Sequence, residues 1–204
     1  MCLIYPTYFP NISNYLVFVN QKDICFEVQD SYQKQTFRNR CYIYAANGKL
    51  GLHIPINFTQ HNRQMTKEVL IDNSVSWKKN HLKSIESAYK TSPFFEFYED
   101  DIKPLFEKNH KFLLDYNIEC IEKINSCLEL NLNYKFTTEY EKKINDNDFR
   151  FLVDKSKKKI ETYPYIQVFK IKYGYLPNLS ILDLLFNLGP ESTSYLINHP
   201  KILH

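Results

Sequence analysis

The sequence predicts an α/β fold, with a mostly parallel sheet, flanking helices and a β-hairpin. Residues 2–28 suggest a strand, a loop, a helix and a second strand, an order typical of parallel α/β units. A turn signal, Asn47-Gly48, separates two runs rich in strand-forming residues. Later segments have the apolar density of helices. A length of 204 residues suits one domain, residues 1–204.

At the amino terminus, residues 2–5 form an apolar strand that Pro6 ends, because proline cannot donate a backbone hydrogen bond. Ser13 is a suitable N-cap for a short helix to Asn20. In residues 24–28, residues that favour strands alternate with others, which predicts a second strand. The loop between the first strand and the helix lies where α/β sheets bind ligands.

Beyond the hairpin, apolar residues at spacings of three and four predict a helix over 76–90. Asp101 is a suitable N-cap for a second helical region that extends to Leu130. A helix over 180–188 ends at Gly189, a typical helix-ending residue. The remaining expectations are strands at 69–71, 134–138 and 165–171, and a loop or small annex at 141–162.

Composition excludes some function classes. The chain has only 4 glycines, and no pair fits GxGxxG or GxxxxGK[ST], which excludes a glycine-rich phosphate loop. Any phosphate must then be bound by side chains. The net charge is +3 and the isoelectric point is about 8.4. Both halves are balanced in charge, which argues against nucleic acid as a partner.

The five cysteines include no CxxC pair, so reduced thiols in a reducing compartment are expected. The six histidines are scattered, and neither a metal nor a cofactor is expected. No apolar run approaches the length of a membrane span, and the amino terminus lacks a basic signal-peptide region. We therefore expect a cytoplasmic protein, and the sequence leaves its oligomeric state open.

The densest polar segment is residues 33–40, QKQTFRNR, with three cations and three amides. On a strand, Lys34, Thr36, Arg38 and Arg40 would share one face. Arginine suits phosphate because its planar guanidinium can pair with two oxygens at once. Only four of the 26 Lys and Arg residues are arginine, so two arginines in one short segment are more informative than the abundant lysines. The segment therefore predicts an anion-binding site at a pocket edge. The alternative is an exposed edge strand whose charges oppose aggregation.

Trp77 and His81 lie four residues apart on one helix face, where His81 could act as a general base or hydrogen-bond donor. The alternative is a half-buried histidine satisfied by the backbone.

Ser180 and Asp183 fit a capping box, although the same helix start could bind an anion. Tyr8, in the loop after the first strand, either lines a pocket or packs on the sheet.

Four stretches together resemble the WbqC-like protein family: YPTYFPNISNY, SYQKQTFRNRCYI followed by ANG, WKKNHLKSIESAYKTSPFFEFY, and YLPNLSILDLLFNLGPES. The resemblance spans roughly residues 3–195. It implies a transferase step in bacterial surface-polysaccharide biosynthesis of the O-antigen type. The transfer would carry an acyl or glycyl group to a nucleotide-linked amino sugar. The implied partner is thus a nucleotide sugar or another phosphorylated small molecule.

Under this resemblance, His81 and Tyr89 are the catalytic candidates, with His81 as the base that deprotonates the acceptor amine. Phosphates would be held by cations of the 33–40 segment. The full set of substrate-binding candidates is Tyr8, Lys34, Gln35, Arg38, Asn39, Arg40, Trp77, Ser84, Asn178, Ser180 and Asp183. Relatives often have Gln or His where this chain has Tyr5, and longer relatives have a fuller segment at 141–162.

The opening layout is also similar to nucleotidylyltransferase-like Rossmann folds. Those folds carry a histidine in the loop that follows the first strand, whereas this loop has none. The likeness therefore implies architecture and not adenylyl transfer. The alternative function is a non-catalytic ligand-binding or assembly module, since no paired acids or metal ligands stand out. Whether the protein is an enzyme stays open at this point.

Overall fold

The computed structural model describes residues 2–57, 64–140, 142, 147–154 and 160–199. The described strands are β1 (Cys2–Ile4), β2 (Ile24–Phe26), β3 (Arg40–Ala45), β4 (Gly48–His53), β5 (Ile56–Asn57), β6 (Leu70–Ile71) and β7 (Tyr134–Phe136). The described helices are α1 (Ile12–Asn20), α2 (Trp77–Tyr89), α3 (Phe95–Ile102), α4 (Leu113–Cys127), α5 (Lys170–Tyr173), α6 (Ile181–Leu188) and α7 (Glu191–Ile197).

A parallel sheet with strand order β1-β2-β7 holds the centre of the fold. Two of its strands, β1 (CLI) and β2 (ICF), are entirely buried, as expected for strands covered on both faces. Helix α1 connects β1 to β2, and Leu3 makes a further parallel bridge to Asp148. The predicted α/β class with a parallel sheet and flanking helices is confirmed. The nucleotidylyltransferase-like Rossmann arrangement stays a prediction.

The predicted hairpin is confirmed, because β3 and β4 pair antiparallel from Arg40↔His53 to Ala45↔Gly48. Gly48 has a φ of 96°, which a residue with a side chain adopts only with strain. The short strand predicted at 69–71 is also present, as β6 paired with β5.

Helix α1 begins two residues earlier than predicted. Its N-cap is Asn11, whose side-chain oxygen accepts a hydrogen bond from the Asn14 amide at 3.1 Å. Asparagine caps a helix as well as serine does. The predicted N-cap, Ser13, is instead a buried residue of the first turn.

The predicted helical region over 101–130 is wrong in its first half. Asp101 lies inside α3, and not at an N-cap. A 3₁₀ turn with Pro104 in it follows, and α4 begins only at Leu113. Proline fits the first turn of such a helix but cannot continue one, so the region is broken in two.

The strand predicted over 165–171 is wrong as well. The Gln167 side chain bonds both backbone groups of Leu176, donating to its carbonyl and accepting from its amide at 3.0 Å each. The Gln167 side chain thus satisfies the backbone carbonyl and amide of Leu176, which in a sheet would bond to a neighbouring strand. Residues 141, 143–146 and 155–159 of the predicted loop or annex lie outside the described residues.

Helix α6 is the central helix of the molecule, because nearly all of its residues are buried and it packs against α1, α3, α7 and β3. The amino-terminal end of α6 is hydrogen-bonded to both the hairpin and the loop after β1. The Ser180 amide donates to the Tyr42 carbonyl at 2.8 Å, and the Ile181 amide donates to the Pro10 carbonyl at 2.9 Å. Ser180 caps the helix as predicted. This end therefore holds the loop after β1 against the hairpin.

All five cysteines are reduced thiols, as predicted, and all but Cys127 are buried. Burial raises the pKa of Cys41 and of Cys120 well above the ordinary range of a thiol. The thiols therefore favour packing over nucleophilic chemistry. Among the described helices, none combines the length and apolarity that crossing a bilayer requires.

We predict that Gly189→Ala destabilises the protein by about 2–4 kcal/mol, since it adds overpacking to a strained backbone angle. A Cβ at Gly189, where φ is 53°, would lie 2.5 Å from Cγ of the Phe94 ring. Gly48→Ala is the matched control, because its φ is also positive but its surroundings are open. It should cost only about 1 kcal/mol. Urea unfolding measures both, and equal losses would contradict the steric argument.

Candidate functional site

The carboxyl edge of the parallel sheet carries buried charge. Glu27, directly after β2, is fully buried, and its carboxylate accepts hydrogen bonds from Thr137 Oγ1 at 2.9 Å and Arg150 at 3.3 Å. Asp148 binds the other side of the Arg150 guanidinium at 2.6 Å. Buried charge is tolerated only when paired and hydrogen-bonded, and these contacts meet that condition.

A second buried ion pair lies beside the first. Arg38 is 1% exposed and donates to Asp30 at 2.5 Å, while Asp30 also accepts from Thr66 Oγ1 at 2.5 Å. The guanidinium lies 3.8 Å from the centroid of the Tyr5 ring. Tyr5, the last residue before the first proline, thus covers an arginine at the sheet edge.

Residues 33–39 form no strand, and only Arg40 belongs to one, as the first residue of β3. The prediction that four side chains of this segment share one face is therefore wrong. Gln35 has a φ of 62°, and Phe37–Asn39 form a 3₁₀ turn, which disperses the side chains. Lys34 and Gln35 are exposed, while Arg38 is enclosed. Asn39 donates to the Ile54 carbonyl at 2.9 Å, and half-buried Arg40 donates to Asn39.

His81 is enclosed in a hydrogen-bonded chain. Its Nε2 lies 3.1 Å from the carbonyl of His53, which can only accept, so Nε2 is protonated and donates. Nδ1 then accepts from the Tyr8 hydroxyl at 3.0 Å. Burial lowers the pKa of His81 to about 4, which keeps the ring neutral. Trp77 packs against the ring, at a centroid distance of 5.1 Å.

Tyr89 and Asp183 meet in the core. Asp183 accepts hydrogen bonds from Tyr89 at 2.7 Å, Tyr165 at 2.5 Å and Gln167 at 2.8 Å. The Tyr89 hydroxyl in turn accepts from the Tyr44 amide at 3.1 Å. Burial raises the pKa of Asp183 above its ordinary value. The carboxylate points into the core, so the capping-box prediction is wrong for Asp183.

A cleft of about 620 Å³ opens beside the loop after β1, within the size range of ligand pockets. Lys49 supplies a cation, Asp154 and Glu161 supply carboxylates, and Phe37 and Tyr175 supply aromatic rings. The complete lining is Asn11, Phe37, Lys49, Leu152, Asp154, Ile160, Glu161, Thr162, Pro164, Tyr175, Pro177 and Asn178.

The predicted site residues therefore fall into separate groups. Asn178 lines the cleft, and its side chain accepts from the Ser13 amide at 2.9 Å. Tyr8, Trp77 and His81 form one buried group, and Tyr89 and Asp183 form another. Ser84 bonds its own helix at the Asn80 carbonyl, 2.8 Å away.

Sequence reasoning missed the charged residues that the fold gathers at the sheet edge and the cleft. A signal existed for two of them. Arg150 is one of only four arginines, and Glu27 directly follows a buried strand. Asp30 and Lys49 carried no such signal, because no local pattern shows that Arg38 and Thr66 converge on Asp30 or that Lys49 joins the cleft.

Comparison with known proteins identifies relatives but no solved structure. The model of the WbqC-like protein family matches residues 5–167. The uncharacterized protein Rv1507c of Mycobacterium tuberculosis is 25% identical over an alignment 211 positions long, gaps included, which covers 89% of each chain. No solved structure matches the chain.

We predict that His81 makes the protein less stable in acid. The unfolded chain takes up a proton near pH 6.5, whereas folded His81 takes one up only near pH 4. Stability is therefore lost as the pH falls through this window. From pH 7.5 to 5 the loss should be about 2 kcal/mol larger in the wild type than in His81→Gln. Urea unfolding at both values tests this, and parallel curves would contradict it.

We also predict that substituting two cations of the same segment, Arg38 and Lys34, changes the free energy of unfolding by very different amounts. Arg38→Met leaves the Asp30 carboxylate buried without its cation and should cost about 3–5 kcal/mol. Lys34→Met changes an exposed side chain and should stay within about 0.5 kcal/mol. Thermal and urea unfolding measure both, and a tolerated Arg38→Met would show that the ion pair is dispensable.

Proposed function

We propose that this chain, which belongs to the WbqC-like protein family, is a transferase that binds a nucleotide-linked amino sugar in the 620 Å³ cleft. It would transfer an acyl or glycyl group to the amine of that sugar, in surface-polysaccharide biosynthesis of the O-antigen type. The composition of the cleft lining carries the proposal. A cation, two carboxylates and two aromatic rings in one cleft match the parts of such a ligand.

Each part of the ligand has a matching group. Lys49 supplies the positive charge that a phosphate requires, in a chain without a glycine-rich phosphate loop. The carboxylates of Asp154 and Glu161 accept hydrogen bonds from sugar hydroxyls or an ammonium group. The rings of Phe37 and Tyr175 offer apolar faces for a sugar or a base.

The cleft also contains groups for the proton transfer. An amino sugar is protonated at neutral pH, and its amine must lose that proton before it attacks the acyl carbonyl. In the proposal, Asp154 or Glu161 first takes the proton of the ammonium group. The free amine then attacks the acyl carbonyl, and as the amide bond forms and the bond to the acyl carrier breaks, the second nitrogen proton passes to the departing carrier. His81 is less suited to this role, because both of its ring nitrogens are already engaged.

The position of the cleft supports the same proposal. It lies beside the loop after β1, where a Rossmann-like, nucleotidylyltransferase-like fold would bind its ligand. Arg38 and Asn39 lie behind this region and would position the loop, with no contact to phosphate.

A non-catalytic ligand-binding module is the second candidate. It is favoured by the absence of histidine, cysteine and serine from the cleft lining among the described residues. Both candidates predict ligand binding, and only the transferase predicts turnover. Mass spectrometry of the sugar nucleotide after incubation with an acyl or glycyl donor separates them.

We predict that UDP-glucosamine binds in this cleft and that Lys49→Glu weakens it by at least about tenfold, because a charge reversal repels the phosphates. Isothermal titration calorimetry measures the affinity, with free glucosamine as the ligand control. Lys83→Glu, an exposed charge reversal on α2, should leave the affinity unchanged. Equal effects of the two substitutions, or no binding by the wild type, would contradict the proposal.

A further inference from the structure

Two long stretches of the chain contain no acidic residue. These are residues 31–67 and 162–182, in a chain with 23 acidic residues among 204. If acidic residues were spread evenly along the chain, these two stretches together would contain about six of them. They contain eight lysines and arginines, among them Lys49, Lys170 and Lys172. The overall charge balance therefore conceals a local excess of positive charge.

The fold brings the two stretches together. The Tyr44 hydroxyl, on the hairpin, donates to the carbonyls of Phe169 at 3.1 Å and Gly174 at 2.7 Å. Lys172 donates to the carbonyl of Ala46 in the hairpin turn, at 3.3 Å. The loop that carries α5 is thus held at both ends by one tyrosine and rests against the hairpin.

This loop presents apolar side chains to solvent. Ile171 is fully exposed, and Ile166 is 74% exposed. Tyr163 and Tyr173 are about half exposed. Scattered exposed hydrophobic residues are ordinary in proteins, but four within eleven residues, on a loop that is held in place, are unusual.

We propose that this acid-free face, the exposed side chains of residues 46–49 and 163–173, docks on the surface of an anionic lipid bilayer. Isoleucines enter the boundary between head groups and acyl chains, and tyrosines lie at head-group level. Lys172 lies against the hairpin turn, Lys49 follows that turn, and Lys170 is exposed one residue before Ile171, so that the three lysines can attract lipid phosphates. The charge of the face thus complements an anionic membrane.

A comparison within the molecule supports this choice of partner. Phe97 is 71% exposed, as much as Ile166, but its neighbours on α3 are Glu96, Glu99, Asp100 and Asp101. An anionic bilayer would repel that surface. Nucleic acid would also match the lysines, but it offers no apolar region for two exposed isoleucines.

The acid-free face borders the cleft, since Lys49 and Pro164 belong to both, and the cleft lining also carries the carboxylates of Asp154 and Glu161. Docking would therefore place the cleft next to the lipid head groups. The inference does not depend on the proposed transferase activity, because membrane binding is measured without substrate or turnover.

Flotation with vesicles tests the proposal. We expect the full chain to float with phosphatidylcholine vesicles that contain about 30 mol% phosphatidylglycerol, and not with phosphatidylcholine alone. Binding should fall between about 50 mM and 300 mM salt. Ile171→Ser, and separately Lys170→Glu with Lys172→Glu, should each reduce the bound fraction at least about tenfold.

Matched controls make the result specific. Phe97→Ser removes an equally exposed hydrophobic residue, and Lys79→Glu with Lys83→Glu reverses two exposed lysines on α2. Both should bind vesicles as the wild type does, with unchanged circular dichroism and melting temperature in all variants.

Several outcomes would overturn the proposal. These are failure of the wild type to bind anionic vesicles at low salt, equal losses in the controls, or unchanged binding by Ile171→Ser and Ile166→Ser. Tighter binding to a single-stranded RNA oligonucleotide than to vesicles would identify nucleic acid as the partner instead. A dimer in sedimentation velocity that Ile171→Ser dissociates would identify a second copy of the chain.

Discussion

The buried carboxylate of Asp183, on the central helix α6, links that helix to α2, to the hairpin and to the segment around residues 165–167. A buried carboxylate needs donors on both oxygens, and its three donors come from two separate parts of the chain. Through Tyr89 it reaches α2 and the hairpin, and through Tyr165 and Gln167 it reaches one wall of the cleft. The wall and the hairpin therefore hold their positions relative to the central helix α6 by one set of hydrogen bonds.

At the carboxyl edge of the sheet, buried carboxylates again require partners, and here the partners are arginines. Glu27 and Asp30 are buried acids. Glu27 pairs with Arg150, far along the chain, and Asp30 pairs with Arg38, eight residues further on. These pairs fix the loops that leave the sheet. Arg38, which the sequence suggests as a phosphate ligand, thus serves as the partner of a buried acid.

Local patterns predicted the local elements well. The hairpin, the β1–α1–β2 unit and α2 follow from turn residues, strand-forming runs and helical spacing, and the structure contains them. The predicted strand at 165–171 failed because Gln167 bonds Leu176 with its side chain, a contact that no periodicity signals. The strand prediction for the 33–40 segment failed because Arg38 pairs with Asp30 and the Asn39 side chain donates to the Ile54 carbonyl, contacts that no local pattern signals. The cleft combines residues from 11 to 178, and its assembly depends on the fold as a whole.

The positions of the cysteines give the molecule a built-in set of reporters. Cys2, Cys25, Cys41 and Cys120 are buried in β1, β2, β3 and α4, while Cys127 is partly exposed. A thiol in the core reacts only when its own element opens, so labelling rates would give the opening free energies of the sheet, the hairpin and the long helix separately. The chain can therefore be dissected into its cooperative units without introducing any probe.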